Sequence, residues 1–531
     1  MGADADELLN QSPPFVDVDL FASDRPLQEI VAANGAGGEA AALSAFGRRW
    51  GTADMFEQAR LANVHPPRLS GERVEFHPAY HRFMAESIRD GLHASTWRPD
   101  ATPAAAPAEV VRAARFYMVA QVENGHMCPV TMTRAAVAAL AAELALARVL
   151  LPKILSRDYD SSFKPWTEKN GITLGMGMTE KQGGTDVRAN TTRAERSGSA
   201  YRITGHKWFM SAPMCDAFLV LAQAPGGLTC FFLPRFRPDG EVNGLNFQKL
   251  KDKVGNRSNA SSEVEFSDAY ALRVGEEGRG IRTILQMVQL TRLDCAISSA
   301  GMMRAALARA LHHCRHRSVF QKRLADQPMM RMVLADLALE VEAAAALVMR
   351  LCHSFDTNAA ARVRLLTPAV KYLVCKRAPA FIYEAMECLG GNGYVEDYVL
   401  ARLYREAPVN AIWEGSGNVM CLDVLRAMGR DADGSGAVLA ELVQEAENLP
   451  GVTRTAADLA KSITDASTEA NARGAVERLA LIAAAAALQT SVPSAIAEAF
   501  ARTRLAGRCS VNFGASELSA AEVDLLLERA L

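Results

Sequence analysis

The sequence predicts an α+β protein: an N-terminal helical domain, a middle antiparallel β domain, a C-terminal helical bundle and a helical appendix. Three observations carry that expectation. Apolar residues recur at the helical period on both sides of a central stretch, as in Ile281, Ile284, Leu285 and Val288. In the central stretch, short β-prone runs are separated by Gly, Pro and Asp. Past Asp431-Ala-Asp-Gly-Ser-Gly436, which reads as a linker, the chain is Ala-rich and helical again. The boundaries read this way are 1–175, 176–280, 281–430 and 437–531.

Taken in order, Ala135 to Leu151 is Ala/Leu-rich with Glu143 and Arg148 interspersed, the pattern of one packed helix. The Pro- and His-rich region from about Pro66 to Pro107 has no assignable pattern. Tyr201 to Thr204, Phe218 to Leu221 and Cys230 to Leu233 are strand-like, and Val264 and Phe266 alternate with Glu263, Glu265 and Ser267. Leu334, Leu337, Val341 and Val348 hold one helix face. Thr367-Pro368 reads as an N-cap with proline at the first helical position, and Pro379 as a kink.

With 531 residues the chain is too long for one core, and 49% apolar with 22% charged residues is an ordinary globular balance. A net charge of −2 gives no global case for nucleic acid or anionic membrane. The ten cysteines form no Cys-x-x-Cys pair and read as reduced, buried thiols of a cytoplasmic protein. Met1 to Asn10 is acidic and lacks the apolar stretch of a secretory signal. The longest uncharged apolar run, Leu479 to Leu488, has ten residues, against about twenty for a membrane span.

Four constellations carry chemistry. Met178 to Val187 follows a strand-like run; Gly183 and Gly184 let backbone amides approach a flat or anionic ligand, and Thr179 and Thr185 can bond a heterocycle edge. In Gly205 to Ser211, Phe209 and Ser211 share one strand face, with Met210 between them. Gly390-Gly391-Asn392-Gly393 is a helix end with a tight turn. Trp413-Glu414-Gly415-Ser416-Gly417-Asn418 puts a carboxylate in a glycine-flanked loop beside an aromatic. Each alone has an ordinary structural reading as a turn, a core aromatic or a cap.

In this order the four resemble the acyl-CoA dehydrogenase family, as do Lys251 to Arg257 followed by Glu263 to Phe266, and Arg317-Ser-Val-Phe320. The resemblance spans roughly residues 110 to 430. Lys181, where the dehydrogenases usually carry proline, is similar to the family's alkylation-response branch. So are Lys251 to Ser261, Tyr404 to Asn418, Asn10 to Pro14 and the appendix.

The resemblance implies an acyl-CoA dehydrogenase-like fold, non-covalent FAD and an acyl-CoA substrate. It also implies loss of an α-proton to a carboxylate while hydride passes to flavin N5. Glu414 matches the base; Trp413 beside it would raise its pKa by desolvation. Thr291, at the position of the alternative base in some members, cannot serve. Glu414 has a rival reading as a loop cap or arginine partner. By the same resemblance FAD contacts fall to Met178, Thr179, Gly184, Thr185, Phe209, Met210, Ser211, Gly390, Gly391, Gly393, Trp413, Gly415, Ser416 and Asn418. Arg317, with Phe320 and Gln327, matches an arginine reaching the FAD pyrophosphate of a neighbouring subunit, implying a homo-oligomer, expected as a tetramer.

His312 and His316, at i and i+4, lack a second ligand motif, so no metal is expected. The branch suggests a second duty, protecting or binding DNA with little turnover. Against it, residues 431–531 hold eight Lys+Arg and fourteen Asp+Glu, a net −6. Their one basic cluster, Arg502, Arg504 and Arg508, reads as the solvated side of a packing helix, so alanine at Arg502 and Arg504 is expected to change duplex binding little.

Overall fold

A computed structural model of the protein describes residues 10–97, 106–464, 468–507 and 511–530. The chain forms two compact units that gather non-contiguous stretches: a β unit of Glu57–Thr102 and Glu123–Thr291, and a helical unit of Met1–Phe56, Pro103–Val122 and Arg292–Leu531.

In the β unit the Pro- and His-rich region resolves into a hairpin, β1 (Arg68–Ser70) and β2 (Arg73–Glu75), and the helix Pro78–Asp90. That helix has Pro78 in its first turn and ends on Gly91 at φ +70°. Residues 98–105 lie outside the described residues. The single helix expected over Ala135 to Leu151 is two, Met127–Leu140 and Leu144–Ile154. The break brings Ala142 against Gly275, where a Cβ on the glycine would stand 3.2 Å from that of Ala142. Such tertiary packing of small residues leaves no mark in the local period.

The sheet consists of β3 (Leu174–Thr179), β4 (Arg193–Ser197), β5 (Ala200–Ser211), β6 (Ala217–Ala224), β7 (Gly227–Pro234), β8 (Leu245–Leu250) and β9 (Ser261–Val274). Their order is β3-β5-β4-β6-β7-β9-β8, with further β3–β6 and β5–β9 pairings. It is not purely antiparallel as expected: β3 runs parallel to β6, from Leu174 opposite Ala217 to Gly177 opposite Val220. The β4–β5 hairpin is the crossover that a parallel pair requires. Apolar β6 and β7 form the buried centre, while β9 alternates as read, with Val264 and Phe266 buried and Glu265 and Ser267 exposed.

In the helical unit, Ala108–Ala120 packs with the long helix Pro328–Asp356, which packs in turn with Ala360–Glu387, and Gly301 of the helix Gly280–His316 lies against the Tyr117 carbonyl. Buried Arg112 forks onto Asp294, at 2.7 and 2.6 Å. No helix starts at Pro368. Ala360–Glu387 continues through Pro368 and Pro379, and the Thr367 hydroxyl bonds back to the Val363 carbonyl at 2.7 Å. The segment read as a linker is the start of the helix Ala432–Glu445, N-capped by the Asp431 side chain.

The appendix is pinned by buried arginines. Arg504, its side chain 4% exposed, reaches Asp336 at 2.5 Å and Glu340 at 3.2 Å on Pro328–Asp356. Arg529 reaches Glu342 at 3.0 Å and Glu29 at 2.8 Å. Arg502 pairs with Glu522 at 2.6 Å. Arg504 is therefore no part of a solvated face, because two buried carboxylates require it; Arg508 and Cys509 lie outside the described residues. The other nine cysteines are unbridged and buried. Among the described residues no helix is long and apolar enough to cross a membrane.

Candidate active site

The β unit brings the first two constellations together. β3 and β5 pair antiparallel, with Met176 opposite Ser211 and Thr179 opposite Phe209, and a bulge takes Met178 out of register. Phe209 and Ser211 share one face, and Phe209 is 46% exposed. Met210 projects to the other face and is buried, so only its main chain remains for a ligand on the Phe209 side. Gly184 and Thr185 follow, both exposed; a Cβ on Gly184 would meet nothing closer than the Thr179 methyl at 3.5 Å.

A buried ion pair shapes this loop. The Lys207 ammonium donates to Glu180 at 2.6 Å and to the Leu221 carbonyl at 2.7 Å. The same carboxylate accepts from the Thr191 amide at 2.7 Å and the Gln182 side chain at 2.7 Å. Burial pushes Lys207 down to about 8, against the pull of Glu180. For Glu180 burial is the largest influence and acts upward, but Lys207 and the bonds from Thr191 and Thr192 bring it down to about 2. Beside Phe209, the Lys251 ammonium lies 3.3 Å from the Trp208 ring centre and 4.6 Å from that of Phe209, and pairs with Glu263 at 2.7 Å.

In the helical unit, Glu414 has φ +58° and Gly415 φ +100°. Glu414 therefore adopts the left-handed conformation that a non-glycine residue holds only when its surroundings enforce it. They do so through main-chain carbonyls: Arg292 donates to that of Glu414 at 3.1 Å, and buried Lys371 to that of Gly415 at 2.8 Å. Asp423 fixes Arg292 at 2.6 Å and also takes Arg364. Trp413 donates to Asn410 at 2.9 Å, and Asn410 to Ser299 at 3.2 Å. Burial pushes the Cys295 thiol well up, against the pull of the Lys371 ammonium.

The other expected residues fall as follows. Ser416 is the exposed N-cap of the helix Gly417–Arg430, and Asn418 accepts from Arg473 of the appendix at 2.8 Å. Gly390 has φ +56°, and a Cβ there or at Gly391 would meet nothing within 4 Å, whereas one at Gly393 would lie 2.2 Å from the Met386 carbonyl. Arg317 precedes a hairpin, β10 (Ser318–Val319) and β11 (Lys322–Arg323), whose turn residues Phe320 and Gln321 have φ +50° and +64°. Phe320 is 94% exposed at its tip. Gln327 donates back to the Val319 carbonyl at 3.1 Å. Thr291 is buried and bonded to the Val288 carbonyl at 3.0 Å.

An exposed aromatic on the same strand face as Ser211 and opposite Thr179 in register has the chemistry to take a flat, polar-edged ring such as flavin, and a guanidinium such as that of Arg317 suits a phosphate. Sequence reasoning missed Glu180, Lys207, Arg292, Lys371 and Asp423. The first two lie inside quoted motifs and were open to notice; the others come from distant helices and carry no local signal.

Residues 10–161 match the adaptive response protein AidB N-terminal domain, 175–269 the acyl-CoA dehydrogenase middle domain and 278–429 its C-terminal domain. The putative acyl-CoA dehydrogenase AidB of Escherichia coli is 50% identical over 439 residues, covering 80% of this chain and 81% of that one. The structure is similar to Caenorhabditis elegans ACDH-11 in complex with C11-CoA, with a TM-score of 0.83 at 24% identity over 98% of this chain and 92% of that one. It is also similar to a Bacillus anthracis acyl-CoA dehydrogenase complexed with FAD, with a TM-score of 0.67 at 16% identity over 85% and 82%. The chain thus belongs to the FAD-dependent acyl-CoA dehydrogenase family, in its AidB-type branch.

Proposed function

We propose that the protein oxidises an acyl-CoA thioester between its α and β carbons, with Glu414 as the base that takes the α-proton. The observation carrying this reading is the left-handed Glu414, whose carbonyl and that of Gly415 are clamped by Arg292 and Lys371. A loop that only needed a turn would put glycine there; a carboxylate kept at such a position, with two cations spent on its main chain, suits a group whose direction matters. FAD, when bound, accepts the β-hydride. Thr179, Phe209 and Ser211 support its ring, while Glu180 and Lys207 hold the loop that carries Thr179. Arg317, with Phe320 at the exposed tip beside it, serves the pyrophosphate in a neighbouring copy of the chain. Anaerobic titration with a panel of acyl-CoA thioesters tests the reading: at least one member bleaches the flavin absorbance. A panel that leaves it yellow throughout sinks the reading.

The similarity to AidB favours a second reading, an adaptive-response protein that guards DNA with little turnover. That duty needs a cationic surface outside the appendix, where Arg504 and Arg529 are already held by buried carboxylates.

A further inference from the structure

We propose that the segment Asn10–Phe15 is a positioning strap for the flavin motifs of the helical unit, with Asn10 setting the guanidinium of Arg317. The proposal rests on Arg317 contacting the FAD pyrophosphate.

The geometry begins with Asn10, a non-glycine residue at φ +56°. Its side chain imitates a strand partner: Oδ1 accepts from the Ser318 amide at 2.8 Å, and Nδ2 donates to the Ser318 carbonyl at 2.8 Å. Those two bonds hold the residue so that its own carbonyl accepts from Arg317 Nη1 at 2.7 Å. Gln11 then takes the Asn392 side chain at 3.2 Å, within the Gly390–Gly393 turn. The strap thus joins two motifs that the sequence separates widely.

Downstream contacts fix the strap itself. His312 donates to the Pro13 carbonyl at 2.8 Å, and Ser12 meets His313 at 3.1 Å. Phe15 stands edge-on to His312 at 5.2 Å, with the buried Arg309 guanidinium 5.2 Å from its ring centre. Phe15 and the bonds at Ser12 and Pro13 anchor the arm of chain; the bonds of Asn10 and Gln11 go instead to Arg317, Ser318 and Asn392 in the motifs.

An arginine side chain loses considerable rotamer freedom on binding a phosphate, and a guanidinium already fixed through one nitrogen loses less. Immobilising one such side chain in advance is worth about two- to tenfold in affinity. Asn10 acts through Arg317 and is a positioning residue.

The test measures FAD release, as fluorescence recovery on dilution of the yellow holoprotein, for wild type, Asn10→Gly, Arg317→Met and the double variant. Asn10→Gly keeps the left-handed backbone accessible and removes both Ser318 bonds. It is expected to release FAD about two- to tenfold faster, to add nothing in the Arg317→Met background, and to lower the melting temperature in excess FAD by no more than that weaker binding accounts for. If Arg317→Met releases FAD as wild type does, the Arg317 reading fails and takes the strap with it. If Arg317→Met is fast but Asn10→Gly is silent, or costs the same in both backgrounds, the strap alone fails. A lowered melting temperature in excess FAD with unaltered release reduces Asn10 to a structural anchor and overturns the proposal.

Discussion

Glu414 occupies a backbone region that costs a non-glycine residue about 1–3 kcal/mol, and Arg292 and Lys371 on the adjoining carbonyls offset that cost. If the carboxylate serves as the base, Glu414→Gln retains FAD but slows acyl-CoA bleaching by about 10²–10⁴-fold in anaerobic stopped flow. Bleaching at the wild-type rate moves the base elsewhere. Glu180 makes a separate prediction on pH. Its folded pKa of about 2 lies below its ordinary 4.5, so its stabilisation is complete above pH 4.5 and is lost as pH falls towards 2. Urea melts of wild type and Glu180→Gln should differ most above pH 4.5, with the gap closing towards pH 2; a constant gap removes the carboxylate as its source.

Elements differed in how far the sequence disclosed them. The shared face of Phe209 and Ser211 follows from strand period alone, and so was legible. The pairing of Thr179, itself a candidate from its motif, with Phe209 was not, because the β3–β5 register depends on a bulge that no motif marks. Pro368 resembled a helix start because local rules weigh the missing amide, whereas the buried helix Ala360–Glu387 is set by its packing. Asp431 reads by composition as a linker residue, yet its carboxylate has the chemistry of an N-cap and accepts from the Gly434 amide. Arg502 and Arg504 show what sequence proximity conceals: two residues apart, one is 40% exposed and the other 4%. Arg504→Ala takes the arginine from buried Asp336 and leaves Glu340 with Arg377, and is expected to cost roughly 3–5 kcal/mol in urea unfolding. Arg502→Ala is expected to cost about 1 kcal/mol or less. Equal losses would contradict the buried-pair account.

At the scale of the whole molecule, the composition assigns no polyanion surface to the appendix, and its buried arginines reduce the cations it offers further. Anisotropy titration at physiological salt is expected to show no submicromolar duplex binding that depends on residues after Asp431. Such binding, abolished by deleting them, would raise the DNA-guarding reading above the enzymatic one. The exposed Phe320 beside Arg317 belongs to the expected assembly: light scattering should give at least a dimer, and a tetramer if the family's architecture holds throughout. A monomer saturated with FAD would remove Arg317 from its proposed role.

The closure of Arg529 on Glu29 and Glu342 also sets a clock. A ribosome adding roughly 5–20 residues per second needs roughly 25–100 seconds to pass from the first of these partners to the last. Within that interval Asp336, Glu340 and Glu342 are made about 8–40 seconds before Arg504 and Arg529. The helical unit therefore finishes packing only after nearly all of the described chain has been synthesised, since these buried carboxylates gain their last counterions from its final residues.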